Sequence, residues 1–333
     1  VILAGDIGGT KCNLALYDIH GVSPKKIFAQ RYESHDFPTF DQMIAKFLSK
    51  SQSESKMIGD QAIEAAGFGV AGPVIERQVK ATNLPWIVDA AALSTQLKTR
   101  HIVLLNDLES TGYSLSHLAA SEISILNRGV ASPNLTQALV AAGTGLGETI
   151  LFWDGGKYVV SSSEGGHTDF APRNETEIGL LRYMKKTNEF VSVELILSGR
   201  GFRTIHNFLN PTAQHPSFED PHADAAPEIT RLAMAGQCPV CVQTLDLWVS
   251  MYGAEAGNLA LKVLARGGVW VAGGIAVKIQ KKMEDGTFFR AFCAKEKFAE
   301  LLAQIPIYLV LNEEAPLIGA LSQAMKAAGI QLP

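Results

Sequence analysis

The sequence predicts an α/β protein of two domains with a cleft between them, and three observations carry this expectation. An apolar strand, Val1 to Ala4, runs into Gly5-Asp6-Ile7-Gly8-Gly9-Thr10-Lys11 and out into a second strand, Cys12 to Tyr17. The same device recurs where Ala138 to Ala142 enters Gly143-Thr144-Gly145-Leu146-Gly147 and leaves as Glu148 to Trp153. The chain is 333 residues long and 47% hydrophobic, enough for two cores, and its first third alternates strand and helix signals, the pattern of α/β folds.

After the opening hairpin, Lys26 to Tyr32 reads as a third strand. Thr39 and Gln42 form a capping box ahead of Met43, Ile44, Phe47 and Leu48, one face of a helix. Ala62 to Val70 reads as a strand, Ala81 to Trp86 as a loop because Pro85 disfavours helix at Leu84, and Asp89 as the cap of a short helix. His101 to Leu105 is a buried strand that delivers Asn106-Asp107 at its C-terminal end. Beyond it, strands are expected near Glu122 to Leu126 and Tyr158 to Ser161, besides the pair around the second glycine turn. A helix starts at Asn174 with Glu177 in capping-box spacing, and a long one spans Pro239 to Ala265. Asn207 to Pro227, rich in Pro, His, Asp and Asn, reads as a surface loop. Gly268 to Ala272 is a short strand ending in Gly273-Gly274, with a helix expected from Ala276. Ile307 to Leu311 and the amphipathic Ala315 to Ala328 close the chain. The expected division is residues 1–117 with 313–333 as a small domain and 118–312 as a larger one with helical insertions.

Two strand–turn–strand units suit two domains that each present a glycine turn to one polyphosphate. Glycines at 8 and 9 can take positive φ and bring backbone N–H groups close to anionic oxygens, and Thr10 adds a hydroxyl. Asp6 suits Mg²⁺ held through water, since that ion prefers hard oxygen ligands and dehydrates reluctantly. Neither turn has the Walker A sequence or leads at once into a helix, so P-loop and Rossmann sites are excluded.

Net charge is −4 and the pI near 6.1, without the basic footprint of a nucleic-acid binder. Mean hydropathy is +0.11, and no apolar stretch approaches the ~20 residues of a membrane span. The first residues lack the charged and apolar regions of a secretory signal, so a cytoplasmic protein with no membrane partner is expected. Cys12, Cys238, Cys241 and Cys293 do not make a secreted disulfide framework. Cys238 and Cys241 form a CxxC at an expected helix N-terminus, but no second CxxC or nearby His pair completes a zinc site.

Phosphoryl transfer needs positioning, charge neutralisation and a base for the attacking hydroxyl. Asp107, at the C-terminal end of a strand where open α/β sheets bind ligands, is the candidate base; capping the next helix is its competing role. Asn106 beside it can donate to and accept from a polyol. In Glu164-Gly165-Gly166-His167-Thr168-Asp169, Glu164 and His167 suit adjacent sugar hydroxyls and Asp169 suits bracing the loop. Glu194 is an acid among apolar residues at an expected helix start, a place where charge must be paired, ligand-bound or turned outward. Gly273-Gly274 would let an adenine lie against the backbone.

Together these segments resemble one family over nearly the whole chain: bacterial-type glucokinase, of the hexokinase, Hsp70 and actin superfamily with its ribonuclease H-like (actin-like ATPase) fold. The most specific element is EGGHTDFAP at 164–172. GDIGGTK at 5–11, LLND at 104–107, AAGTGLG at 141–147, VELILSGRG at 193–201 and VAGGI at 271–275 accompany it in order. The resemblance implies phosphorylation of glucose by ATP with Mg²⁺, domain closure over the sugar, and a homodimer. Asp107 would be the base at the 6-hydroxyl. Asn83, Asn106, Glu164, His167 and Glu194 would bind glucose. Gly5, Asp6, Ile7, Gly8, Gly9 and Thr10 with Gly143, Thr144, Gly145 and Gly147 would hold the phosphates, and Gly273 and Gly274 would lie near adenosine. Lys11 resembles the ROK sugar kinases instead, yet their cysteine-rich zinc motif is missing, so no structural zinc is expected. Leu108-Glu109 also departs from the residues usual after the base. The rival readings are a kinase for another hexose or amino sugar, and an ATP-dependent switch or sugar-responsive repressor. Against the repressor, no helix-turn-helix precedes the first strand; against the switch, the EGGH cluster would have no task.

Overall fold

The computed structural model describes residues 1–21, 23–54, 62–82, 84–211 and 223–330. The chain forms two compact units: unit 1, Val1–Ala119 with Asn312–Pro333, and unit 2, Ala120–Leu311. Unit 1 begins with β1 (Ile2–Ile7), β2 (Lys11–Asp18), β3 (Lys25–Glu33), α1 (Phe40–Glu54), β4 (Ala65–Val70), β5 (Val74–Ile75), β6 (Gln78–Lys80), β7 (Ile87–Asp89), α2 (Ala90–Leu97), β8 (Ile102–Asn106) and α3 (Asp107–Ser114). Unit 2 comprises β9 (Ile123–Asn127), β10 (Gln137–Ala142), β11 (Leu146–Trp153), β12 (Tyr158–Ser163), α4 (Glu175–Met184), α5 (Gly199–Leu209), α6 (Ala226–Met234), α7 (Pro239–Val263), β13 (Gly268–Ala272), α8 (Gly274–Lys278), α9 (Gln280–Met283), α10 (Thr287–Cys293), α11 (Ala299–Ala303) and β14 (Ile307–Val310). The chain then returns to unit 1 with α12 (Ala315–Ala327).

In unit 1 the main sheet runs β3-β2-β1-β4-β8, with β1, β4 and β8 parallel. The parallel strands are nearly continuous apolar runs because both faces are covered there, while the edge strand β3 is mostly polar and exposed. On one face α1 sets Phe40, Met43, Ile44 and Phe47, a stripe at helical spacing, against Phe68 and Trp86. On the other, α12 packs Leu317, Ala320, Leu321 and Ala324 against Ile2, Ala4 and Ala15. The fit is backbone to backbone: a Cβ on Gly67 of β4 would lie 2.2 Å from the Ala320 carbonyl oxygen.

Unit 2 is built on the sheet β12-β11-β10-β13-β14-β9, parallel through β10, β13 and β14. α7 is apolar around most of its circumference, which suits a buried central helix. Its Trp248 stacks on Phe202 of α5 at 4.8 Å, and its Tyr252 hydroxyl donates to the Val140 carbonyl at 3.2 Å.

The loop expected at 81–86 joins β6 to β7, strands of a small sheet, β5-β6-β7, that was not anticipated and whose first hairpin turns at Glu76 and Arg77 with φ of +49° and +63°. Two local expectations change. The helix expected from Ala276 starts at Gly274 and breaks after Lys278. Of the stretch expected as a loop from Asn207, α5 takes the beginning and α6 starts at Ala226; residues 212–222 lie outside the described residues.

Candidate active site

Unit 1 brings Asp6, Asn106 and Asp107 to one edge of its sheet. β1 and β8 flank β4 in parallel, with Asp6 level with Gly69 and Asn106 level with Val70, so the strand ends that carry both acids face the same way. The capping role does not belong to Asp107. Asn106 is the N-cap of α3: its side-chain oxygen accepts from the N–H groups of Leu108 (2.9 Å) and Glu109 (3.3 Å), while Glu109 Oε2 accepts from the Asn106 N–H at 3.3 Å. This is a complete capping box, and it gives the unusual Glu109 a structural task. Asp107 is the first residue of α3, and its Oδ1 accepts from its neighbour Leu108 N–H at 2.9 Å.

The expectation for Asn106 is corrected in part. Its oxygen is committed to the cap and its Nδ2 donates to the Gly72 carbonyl at 3.2 Å, so among the described residues only a second amide N–H remains to meet a polyol. Asn83 lies outside the described residues.

Asp6 is half-buried, and its carboxyl is pushed up to about 6, chiefly by desolvation. A hydrogen bond from Asn13 Nδ2 (3.1 Å) opposes that rise and the neighbouring Asp107 charge adds to it. A desolvated carboxylate beside a second one is a place where a divalent cation relieves repulsion, so the residues present fit Mg²⁺. In the turn that follows, the Gly8 N–H donates to the Lys11 carbonyl at 3.0 Å and the Ser34 hydroxyl donates to the Gly8 carbonyl at 2.8 Å. Contrary to expectation, neither Gly8 nor Gly9 has positive φ; what Gly8 supplies is room, since a Cβ there would lie 2.9 Å from the Lys11 oxygen. Ile7 is buried, Thr10 is exposed, and Gly5 makes space inside the sheet for the Phe68 ring.

Unit 2 ties its polar loops together through backbone hydrogen bonds. The Gly199 N–H donates to the Gly143 carbonyl (2.9 Å), the Glu194 N–H to Gly166 (2.9 Å) and the Val193 N–H to Thr168 (3.0 Å). The turn between β10 and β11 is thereby fixed to the 164–168 loop and to the start of α5. Asp169 contributes a backbone bridge to Ser192. Glu194 lies in a turn ahead of α5 rather than at its start. Its Oε2 accepts from the Leu146 N–H at 3.0 Å, and the close approach requires glycine at 145, where any Cβ would collide with that oxygen. Thr144 sits at the tip of the same turn, and Gly147 pairs with Ala141 in the strands. Glu164 and His167 stand on the surface with Oε2 and Nε2 3.9 Å apart.

Beneath Gly165 lies an acid that sequence reasoning missed. Glu148 is buried, and a Cβ on Gly165 would sit 2.0 Å from its Oε2. Burial first, and then the charge of Glu255, push its carboxyl up to about 7, with Lys262 opposing. The fold is favoured while this group keeps its proton, and that advantage is lost as pH rises from the ordinary carboxylate range through about 7. Glu148→Gln, which cannot ionise, is therefore expected to gain on the order of 2 kcal/mol over the parent at pH 8 and almost nothing at pH 5. Urea melts at both pH values check it.

A cavity of about 940 Å³ in unit 2 is lined by Gly143 and Thr144 at one side and by Gly274, Ile275 and Ile279 elsewhere. Gly273 takes φ +93°, and a Cβ on it would collide with the Ala142 carbonyl oxygen. Gly274 has open space where a side chain would be, which leaves room for a flat ring. Lys186, Arg200 and Lys278 also line this cavity and were not anticipated; the Gly-Arg-Gly start of α5 was the available signal.

A family model described as Glucokinase matches residues 3–327. The glucokinase of Nostoc sp. is 38% identical over 96% of this chain and 97% of its own length. A glucokinase from an Antarctic psychrotroph, of solved structure, is 29% identical with a TM-score of 0.78 over 96% of this chain and 97% of that one. A ROK family glucokinase from Streptomyces griseus, solved with glucose and AMPPNP, shares the fold at 19% identity and a TM-score of 0.67, covering 98% and 99% of the two chains. With the fold that of the actin-like ATPases and the family model spanning both units, the chain belongs to the glucokinase family.

Proposed function

We propose that Asp107 takes the proton from the 6-hydroxyl of glucose as the γ-phosphoryl group of ATP is transferred, giving glucose 6-phosphate and ADP. The reaction class follows from the family; the roles of single residues are our reading. The observation that carries it is the placement of Asp107 at the C-terminal edge of the sheet, directly after β8 and on the same edge as Asp6 at the end of β1, with the N-cap of α3 supplied by Asn106. Glu164, His167, Glu194, Asn83 and the remaining N–H of Asn106 serve the sugar hydroxyls as acceptors and donors. The turns at 5–10 and 143–147 serve the phosphates, and the cavity beside Gly274 serves adenosine, in keeping with the nucleotide analogue and sugar bound by the Streptomyces griseus relative. Asp6 would hold Mg²⁺ through water, and the ion, when bound, neutralises phosphate charge. No helix among the described residues is long and apolar enough to cross a membrane; a cytoplasmic homodimer completes the proposal.

The test is ADP release from MgATP over a panel of hexoses and amino sugars. Glucose as the best substrate supports the reading, a better substrate among the others selects a different sugar, and sugar-independent hydrolysis overturns kinase function. Within that assay Asp6→Asn is expected to lower kcat/KM for MgATP by roughly 10–100-fold, the usual effect of losing a group that holds a metal's water. The same variant should be more stable than the parent above pH 6 by about 2 kcal/mol. The raised Asp6 carboxyl favours the fold while protonated and loses that advantage as pH rises through about 6. Weaker activity together with a higher melting temperature separates a functional acid from a structural one.

A further inference from the structure

We propose that His206, Cys238 and Cys241 form a zinc site joining α5 to α7. Sequence spacing offers only the two cysteines; the fold adds His206 from another helix. One ligand atom from each of the three lies within 4.8 Å of the other two. Donors around a tetrahedral zinc ion are separated by roughly 3.3–3.8 Å, as follows from bonds of ~2.0–2.3 Å, so rotamer adjustment of the side chains closes the set. Both thiols are free. Cys238 is the N-cap of α7 and its sulfur accepts from the Cys241 N–H at 3.4 Å, so the first turn of this 25-residue helix holds both sulfurs on one side. Pro239 at the first helical position stiffens this turn. His206 is 1% exposed and Cys241 fully buried, while the stacked Phe202 and Trp248 rings hold the two helices together one turn away along α5 and two along α7.

Two thiolates and an imidazole are a donor set for zinc rather than for Mg²⁺ or Ca²⁺. A water takes the fourth position. On binding, each thiol gives up its proton to solvent and His206 coordinates through a neutral ring nitrogen, so two protons are released per ion. The wall of the 940 Å³ cavity includes Gly199, Arg200, Phe202 and Arg203 of α5; a metal clamp on the same helix would hold that wall in place. The site is independent of the kinase assignment and survives or fails apart from it.

The experiment uses the full chain, reduced and stripped with chelator, then titrated with ZnCl₂ against a chromophoric competitor and separately with CoCl₂. The expected result is one equivalent of zinc per chain, release of two protons, and a cobalt spectrum with thiolate charge-transfer absorption. Cys238→Ser preserves the cap, because Ser is a favoured N-cap, and should weaken zinc by at least about tenfold while circular dichroism stays unchanged. His206→Gln should do the same. Absence of stoichiometric zinc, a cobalt spectrum without thiolate absorption, or full zinc affinity in both folded variants would each overturn the proposal.

Discussion

Asp107→Asn is expected to lower kcat by ~10²–10⁴, the range for loss of a general base, while KM for glucose changes little and the fold loses no stability. The two halves of this expectation have separate causes. An amide cannot take up the hydroxyl proton, yet its oxygen can still accept from the Leu108 N–H that Asp107 Oδ1 now holds. Loss of a negative charge at the start of a helix costs ~0.3–1 kcal/mol, and relief of repulsion with Asp6 offsets it. Asn106→Ala is the mirror image. It removes the acceptor for two backbone N–H groups, which typically costs about 1 kcal/mol, and leaves the Asp107 carboxylate in place. Stopped-flow or coupled-assay turnover read beside thermal melts distinguishes the two residues. Near-normal turnover of Asp107→Asn would take that residue out of the base role. A further sign is available by NMR: with the neighbouring charge gone, the Asp6 carboxyl should titrate below about 6.

How much of this was legible in the sequence depends on whether the information was local. The glycine turns were, because each interrupts an apolar run long enough to be a strand. So was the start of α4, where Asn174 and Glu177 have capping-box spacing and Asn174 does cap Glu177. The cap of α3 was equally local, since Glu109 stands three residues after Asn106, but two adjacent residues of capping type obscured which one served. The β5–β6 hairpin was hidden for a different reason: Glu76 and Arg77 carry positive φ without the Gly or Asn that announces such a turn. Glu148 and His206 were illegible in principle. An acid in an alternating strand and a histidine on an amphipathic helix become unusual only when the fold buries them beside Glu255 and beside Cys241. Tertiary contact, not sequence spacing, creates both features.

Gly319→Ala is the second substitution with a large expected effect, and it acts on Asp107 without touching it. A Cβ at 319 in α12 would lie 1.7 Å from the carbonyl oxygen of Ser110 and 3.2 Å from the Ser114 nitrogen, both in α3. Neither side has slack. Ser110 is pinned to α12 by its hydroxyl, which donates to the Pro316 carbonyl at 2.7 Å, and to β4, where a Cβ on Gly69 would meet the Ser110 Cβ at 2.8 Å. α12 in turn rests its Ala320 carbonyl on Gly67. A methyl group must therefore push α3 aside or open the packing, at a cost of ~1–3 kcal/mol or more for overpacking. Because Asp107 is one turn ahead of Ser110, the shift moves its carboxylate, and displacement of about 1 Å in a reacting group can cost ~10²-fold in rate. We expect a lowered melting temperature together with reduced kcat measured well below it. Adding Ser110→Ala should bring no rescue, since the obstruction is the backbone oxygen rather than the side chain, and the double variant loses the hydrogen bond to Pro316 besides. Restored turnover in the double variant would place the clash on the hydroxyl and uncouple the packing of α12 from the position of Asp107.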